Sequence, residues 1–312
     1  MTTYLTAMRN KATFFLLALM GCSDYDLKNL NDGLAGLPDV GDTSVPEFVE
    51  DLPDTSPPDE TAEPAPDPSA PIAVCSVDPN PVSPPFESAT WIGNSSYDPD
   101  GGEIVDYSWA LVSAPGGSTA TMPLGTANRY PFTPVLAGTY IGELIVTNDA
   151  GLSSEPCEAT LEAVPTESLW VEMFWEQSQD DMDLHLLASG GSLETRDDCY
   201  YSNCTPSAQI FFPMDWGTTG FTGDNPTLDL DDIPGTGPEN INIDTPQPGA
   251  VYTVVVHDYT GSTPDVYGAN NVTVNVYLDG SLSWTDTRPI EGDGTYTYFA
   301  RIDWTSGTIT SL

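Results

Sequence analysis

Residues 271–278 read Asn-Val-Thr-Val-Asn-Val-Tyr-Leu. Val272, Val274, Val276 and Leu278 share one face and Thr273, Asn275 and Tyr277 the other, the period of two expected of a half-buried strand. Asp279-Gly280 follows at once, a good hairpin turn into Leu282–Thr287. Downstream, Tyr296, Tyr298, Ala300, Ile302 and Trp304 alternate against Thr297, Arg301 and Asp303. Working outward, strand-like runs also occupy 169–175, 182–187, 209–212 and 251–257, and no segment has helical periodicity. Residues 166–312 therefore predict a larger antiparallel, jelly-roll-like β-sandwich. Upstream, short apolar runs at 72–77, 88–92, 104–112, 138–147 and 157–163, separated by Pro, Gly and Asn turns, predict an immunoglobulin-like sandwich over 72–164. The expected fold class is all-β, two sandwiches in series.

Two resemblances accompany this reading. NSSYDPDGGEIVDYSWALVSAPGGSTATM (94–122) and FTPVLAGTYIGELIVTNDAGLSS (132–154) resemble the polycystic-kidney-disease (PKD) type of immunoglobulin-like repeat. The resemblance implies a spacer or adhesion module without catalytic residues, with Trp109 in the core on a central strand. WVEMFWEQSQDDMDLHLL (170–187), DDCYYSNC (197–204), DNPTLDLDDIPGTGPENI (224–241), PGAVYTVVVHDY (248–259) and VTVNVYLDG (272–280) resemble the YfaP-like secreted β-sandwich family. That likeness implies an architecture rather than an activity.

The N-terminus carries an address. Arg9 and Lys11 precede the apolar run Ala12–Met20, too short to span a bilayer. Leu19-Met20-Gly21-Cys22 then resembles a bacterial lipobox, which implies a signal peptide over 1–21, lipidation of Cys22 and attachment to a membrane through that lipid. Ser23 after the cysteine, by resemblance to enteric lipoprotein sorting, implies the outer membrane, facing periplasm or cell surface. Residues 22–71, as in DLPDTSPPDETAEPAPDPSAP (51–71), hold too little apolar surface to offset their ordering entropy and read as a disordered, acidic, Pro-rich stalk.

The chain holds 47 Asp plus Glu against 7 Lys plus Arg, a formal net charge of −40. Such a field repels nucleic acid and attracts cations. In an oxidising compartment the four cysteines left after Cys22 read as two disulfides. Cys75 and Cys157 lie near the first and last strands of the first sandwich, and Cys199 and Cys204 enclose a short loop.

Chemistry concentrates in the second domain. In QDDMDLH (179–185), Asp181, Asp183 and His185 alternate with apolar residues and project from one strand face. LDLDDIPGTGPEN (228–240) offers Asp229, Asp231, Asp232 and Glu239 on a Gly/Pro loop. Calcium takes six to eight oxygens from such carboxylates; the same residues can instead cap turns and bond backbone N–H groups. Tyr200, Tyr201, Trp216 and Phe221 form a sugar-stacking platform if exposed. No hydrolase or phosphate-loop motif occurs. The function expected is a non-catalytic binding or adhesion module for a protein or glycan, with calcium as the candidate stabilising ion. A divalent-metal hydrolase of polysaccharide or peptide, using His185 and His257, and a purely structural envelope component are the alternatives.

Overall fold

The computed structural model describes residues 68–312 apart from 123–124, 179, 234, 260–267 and 293. The signal peptide, Cys22 and most of the stalk lie outside the described residues. Contacts of the first sandwich begin before Ile72, because Ser69 donates its N–H to Asp100 Oδ2 at 2.6 Å and its carbonyl accepts from Asn148.

Six strands build the first sandwich: β1 (Ser76–Asp78), β2 (Ala89–Ile92), β3 (Ile104–Ser113), β4 (Arg129–Phe132), β5 (Gly138–Asn148) and β6 (Cys157–Ala163). They form two three-stranded antiparallel sheets, β1-β2-β4 and β3-β5-β6. Trp91, Trp109, Phe132, Tyr140, Leu144, Val146 and Leu161 fill the space between them. The Trp91 and Trp109 rings stand 6.2 Å apart. Trp109 is in the core as expected, but on an edge strand; β5, which carries Tyr140, Leu144 and Val146, is the central one. The Cys75–Cys157 disulfide joins the edges of opposite sheets rather than neighbouring strands of one sheet.

The second sandwich contains β7 (Leu169–Trp175), β8 (Met182–Leu187), β9 (Asp198–Cys199), α1 (Pro206–Gln209), β10 (Thr227–Leu230), β11 (Glu239–Ile243), β12 (Val251–Asp258), β13 (Asn270–Leu278), β14 (Ser281–Ile290), β15 (Tyr296–Asp303) and β16 (Thr308–Ser311). Two five-stranded antiparallel sheets result, β10-β11-β7-β13-β14 and β16-β15-β12-β8-β9. The alternation of Val272, Val274 and Val276 points all three into the shared core, against Leu184, Leu186, Val254, Val256 and Ile302. The Cys199–Cys204 disulfide closes the loop between β9 and α1.

Two expectations are corrected. Residues 209–212 are not a strand. Thr205 caps Ala208 N–H and Pro206 opens a helical turn, which leaves Ile210, Phe211 and Phe212 exposed. The acidic stretch 228–243 is not simply a loop; it is an antiparallel pair, β10 and β11, joined by the Gly/Pro segment.

The two sandwiches belong to one compact unit. Val164 donates its N–H to Val82 O, Ala137 packs with Trp170 and Tyr277, and Tyr277 Oη donates to Ala137 O at 3.3 Å. The Ala137 N–H donates to Glu172 Oε2 at 2.8 Å. A first-sandwich loop is thus fastened to the outer face of β7 and β13.

Candidate metal centre

All six side chains of β8 are buried. Met182, Leu184 and Leu186 enter the core, and Asp183 and His185 lie on the opposite face, as the alternation predicts. On the side of β8 away from β12, β9 pairs only with Leu186 and Leu187. The Leu184 N–H, beyond that pairing, donates instead to Glu239 Oε2 at 2.7 Å. Glu239 opens β11 in the opposite sheet, so its carboxylate bridges the two layers.

Asp231, directly after β10, completes the group. Ligand atoms of Asp183, Asp231 and Glu239 all lie within 4.8 Å of one another. Asp183 and Glu239 are 3% and 0% exposed, while Asp231 faces solvent. Asp183 Oδ2 has no hydrogen-bond partner. The electrostatics record the crowding. Glu239 is pushed well above the ordinary carboxylate range, by burial first and Asp183 second, against the stabilising Leu184 N–H. Asp181 is raised to about 6 by burial and then by Asp183, Asp231 and Asp180. Asp231 is raised by burial and by Asp183. Five of the six acids named from the sequence, Asp181, Asp183, Asp231, Asp232 and Glu239, therefore share one field.

Asp229 and Asp232 are not part of the group of ligand atoms. Asp229 Oδ2 accepts from Asn242 Nδ2 at 2.7 Å and Asn240 Nδ2 at 3.4 Å, and burial raises its carboxyl. Asp232 Oδ2 accepts from Gly237 N–H at 2.8 Å and staples the turn shut. A side chain at Gly235 would collide with the Asp232 carboxylate, so this close approach needs glycine. For these two residues the turn-organising role is the observed one. Beside the turn, a cavity of about 430 Å³ is lined by Asp231, Asp232, Gly235 and Pro238, with Thr119 and Val135 of the first sandwich.

Both histidines pack next to the acids. His257 Nδ1 is 3.3 Å from Asp183 Oδ2, and His185 Nδ1 is 2.8 Å from Asp198 Oδ2. The His257 ring stacks on Tyr296 at 4.1 Å, and the His185 ring stacks on Tyr200 at 5.0 Å. Tyr201 and Tyr259 extend this aromatic wall. Asp198 and Tyr296 were not singled out as site residues from the sequence; the position of Asp198 beside Cys199 was the available signal. Trp216 is 8% exposed and stacked on Tyr252, so it is no part of an open aromatic platform.

An all-carboxylate oxygen set suits a hard divalent cation. The three elements carrying it are fixed by strand pairing, and the group can hold a metal ion.

No protein-family model matches the chain, and no curated protein matches it. Among solved structures, the PKD1 domain of Vibrio anguillarum Epp is 22% identical, covering 31% of this chain and 99% of that one, with a TM-score of 0.23. A structure of carbohydrate-binding modules from the β-sandwich superfamily is 15% identical, covering 67% of this chain and 60% of that one, with a TM-score of 0.27. The adhesin InvE of Yersinia pseudotuberculosis is 11% identical, covering 70% of this chain and 58% of that one, with a TM-score of 0.24.

Proposed function

We propose that this chain is a lipid-anchored envelope protein that displays a non-catalytic binding module, the YfaP-like sandwich, organised by calcium. The observation that carries the calcium assignment is the buried Asp183 carboxylate, whose Oδ2 makes no hydrogen bond and lies 3.3 Å from His257 Nδ1, gathered against Asp231 and Glu239. Like charges this close destabilise the fold unless a cation sits among them or protons are taken up. The non-catalytic reading rests on the histidines. His185 and His257 are 0% and 7% exposed behind the tyrosine wall, and neither lines the cavity beside Asp231.

The test is thermal unfolding of the mature chain in chelator and in calcium. A site saturated a hundredfold over its Kd adds about 2.7 kcal/mol of stability. The expected result is a rise in Tm with calcium in the wild type and none in Asp183→Asn. An unchanged wild-type Tm across millimolar calcium removes the metal from this reading. The anchor is tested separately: Cys22→Ser is expected to move the protein from the membrane fraction to the soluble fraction.

A further inference from the structure

Beyond the C-terminal end of β8, away from Asp183, lies a half-enclosed cavity of about 320 Å³. Ala188, Trp216, Gly217, Asp224, Gln247 and Tyr252 are among its lining residues. Its size is at the lower end for small-molecule pockets. Asp224 is 2% exposed. Its Oδ2 accepts from Thr218 N–H at 2.7 Å and from Gln247 Nε2 at 2.9 Å. Its Oδ1 is buried and has no hydrogen-bond partner. Both donors to Oδ2 are neutral, and the ion pairs among the described residues do not include Asp224.

The wall beside this carboxylate is aromatic. Trp216 stacks on Tyr252 with ring centroids 6.2 Å apart and planes 16° from parallel. The Trp216 ring is held in place, its Nε1–H donating to Arg196 O at 2.8 Å. Gly217 sits at φ +63°, and a side chain there would strike Gln247 and Asp224, so the backbone approaches the carboxylate closely. A carboxylate only accepts hydrogen bonds, and a buried charge requires a charged or strongly donating partner. Aromatic faces attract cations.

We propose that this cavity binds a primary ammonium or guanidinium group. The Asp224 carboxylate in the cavity wall balances its charge, and the Trp216–Tyr252 pair borders it. The net charge of −40 favours the approach of such a cation. This inference rests on the binding role proposed above and names a ligand class for it; it does not depend on the calcium assignment.

The experiment uses the mature chain at physiological salt, in chelator and again in calcium. Calorimetry and ¹H–¹⁵N NMR follow titration with N-acetyl-lysine methylamide, N-acetyl-arginine methylamide and glucosamine. The neutral controls are Nε-acetylated lysine and N-acetylglucosamine. The cationic probes are expected to shift the amides of Gly217, Asp224 and Gln247 and the indole of Trp216. The neutral controls, and Asp224→Asn with its retained acceptor for Thr218 N–H, are expected to bind roughly tenfold more weakly. A preference for the amino-acid amides indicates a basic peptide as the source of the cation; a preference for glucosamine indicates an amino sugar. If Asp224→Asn does not fold, the NMR map and the cation-to-neutral ratio in the wild type decide. Absence of these shifts up to about 20 mM probe, or equal binding of neutral controls, overturns the proposal. Cation binding that persists where calcium has no effect on Tm separates this site from failure of the metal assignment.

Discussion

Glu172 is a carboxylate set into the wall between the sandwiches. It is 1% exposed, and burial raises its pKa to about 7 against hydrogen bonds from Ala137 N–H and Asn275. A folded-state pKa above the unfolded value means that folding favours the protonated form. The associated stability is fully present below about 4.5 and is lost as pH rises through about 7. Asp181, raised to about 6, has the same sign. Glu172→Gln keeps a carbonyl to accept from Ala137 N–H and removes the charge. The expected outcome is a flatter dependence of Tm on pH between about 5 and 8 than in the wild type, followed by thermal scans in chelator. A wild-type slope retained in full by the variant would show that Glu172 does not titrate in this window.

At the scale of elements, β14 is an edge strand, paired among the described strands with β13 alone. Arg288 on it reaches across to the other sheet. Its Nη1 donates to Tyr298 O at 2.8 Å and Leu312 O at 3.0 Å, its Nη2 donates to Phe299 O at 3.1 Å, and the guanidinium lies 4.7 Å over the Phe299 ring. The planar fork makes this clasp, and a lysine cannot reproduce it. Arg288→Lys is expected to cost about 2 kcal/mol in urea unfolding. Strands such as β7, β8 and β13 were legible because their apolar period directly sets which face enters the core. Residues 209–212 were not, because the local cap at Thr205 and Pro206 outweighs the strand preference of Ile210, Phe211 and Phe212. β11 was hidden by its polarity: Glu239, Asn240 and Asn242 are buried, and Glu239 and Asn242 are matched by hydrogen bonds to Leu184 N–H and Asp229, which lie on other elements. The candidate metal centre was legible in part for a related reason. Strict alternation would place Asp229 and Asp231 on one face, but the register shift between Leu228 and Leu230 interrupts it. Asp229 is left with Asn240 and Asn242 while Asp231 meets Asp183.

At the scale of the whole molecule, two cores are joined through Ala137, Trp170 and Tyr277 and by a short connection from β6 to β7. The Cys75–Cys157 bond has a mechanical consequence. Tension that enters before Cys75 and leaves through the second sandwich crosses the sulfur bridge to Cys157, close to the end of the first sandwich. Strands β1 to β5 lie outside that load path. With a sequence separation of 82, stretching the oxidised protein between residue 68 and the C-terminus should lack roughly 280 Å of extension that the reduced protein releases. Single-molecule pulling with and without reductant measures the difference. Equal contour lengths in the two states would show that force takes another route.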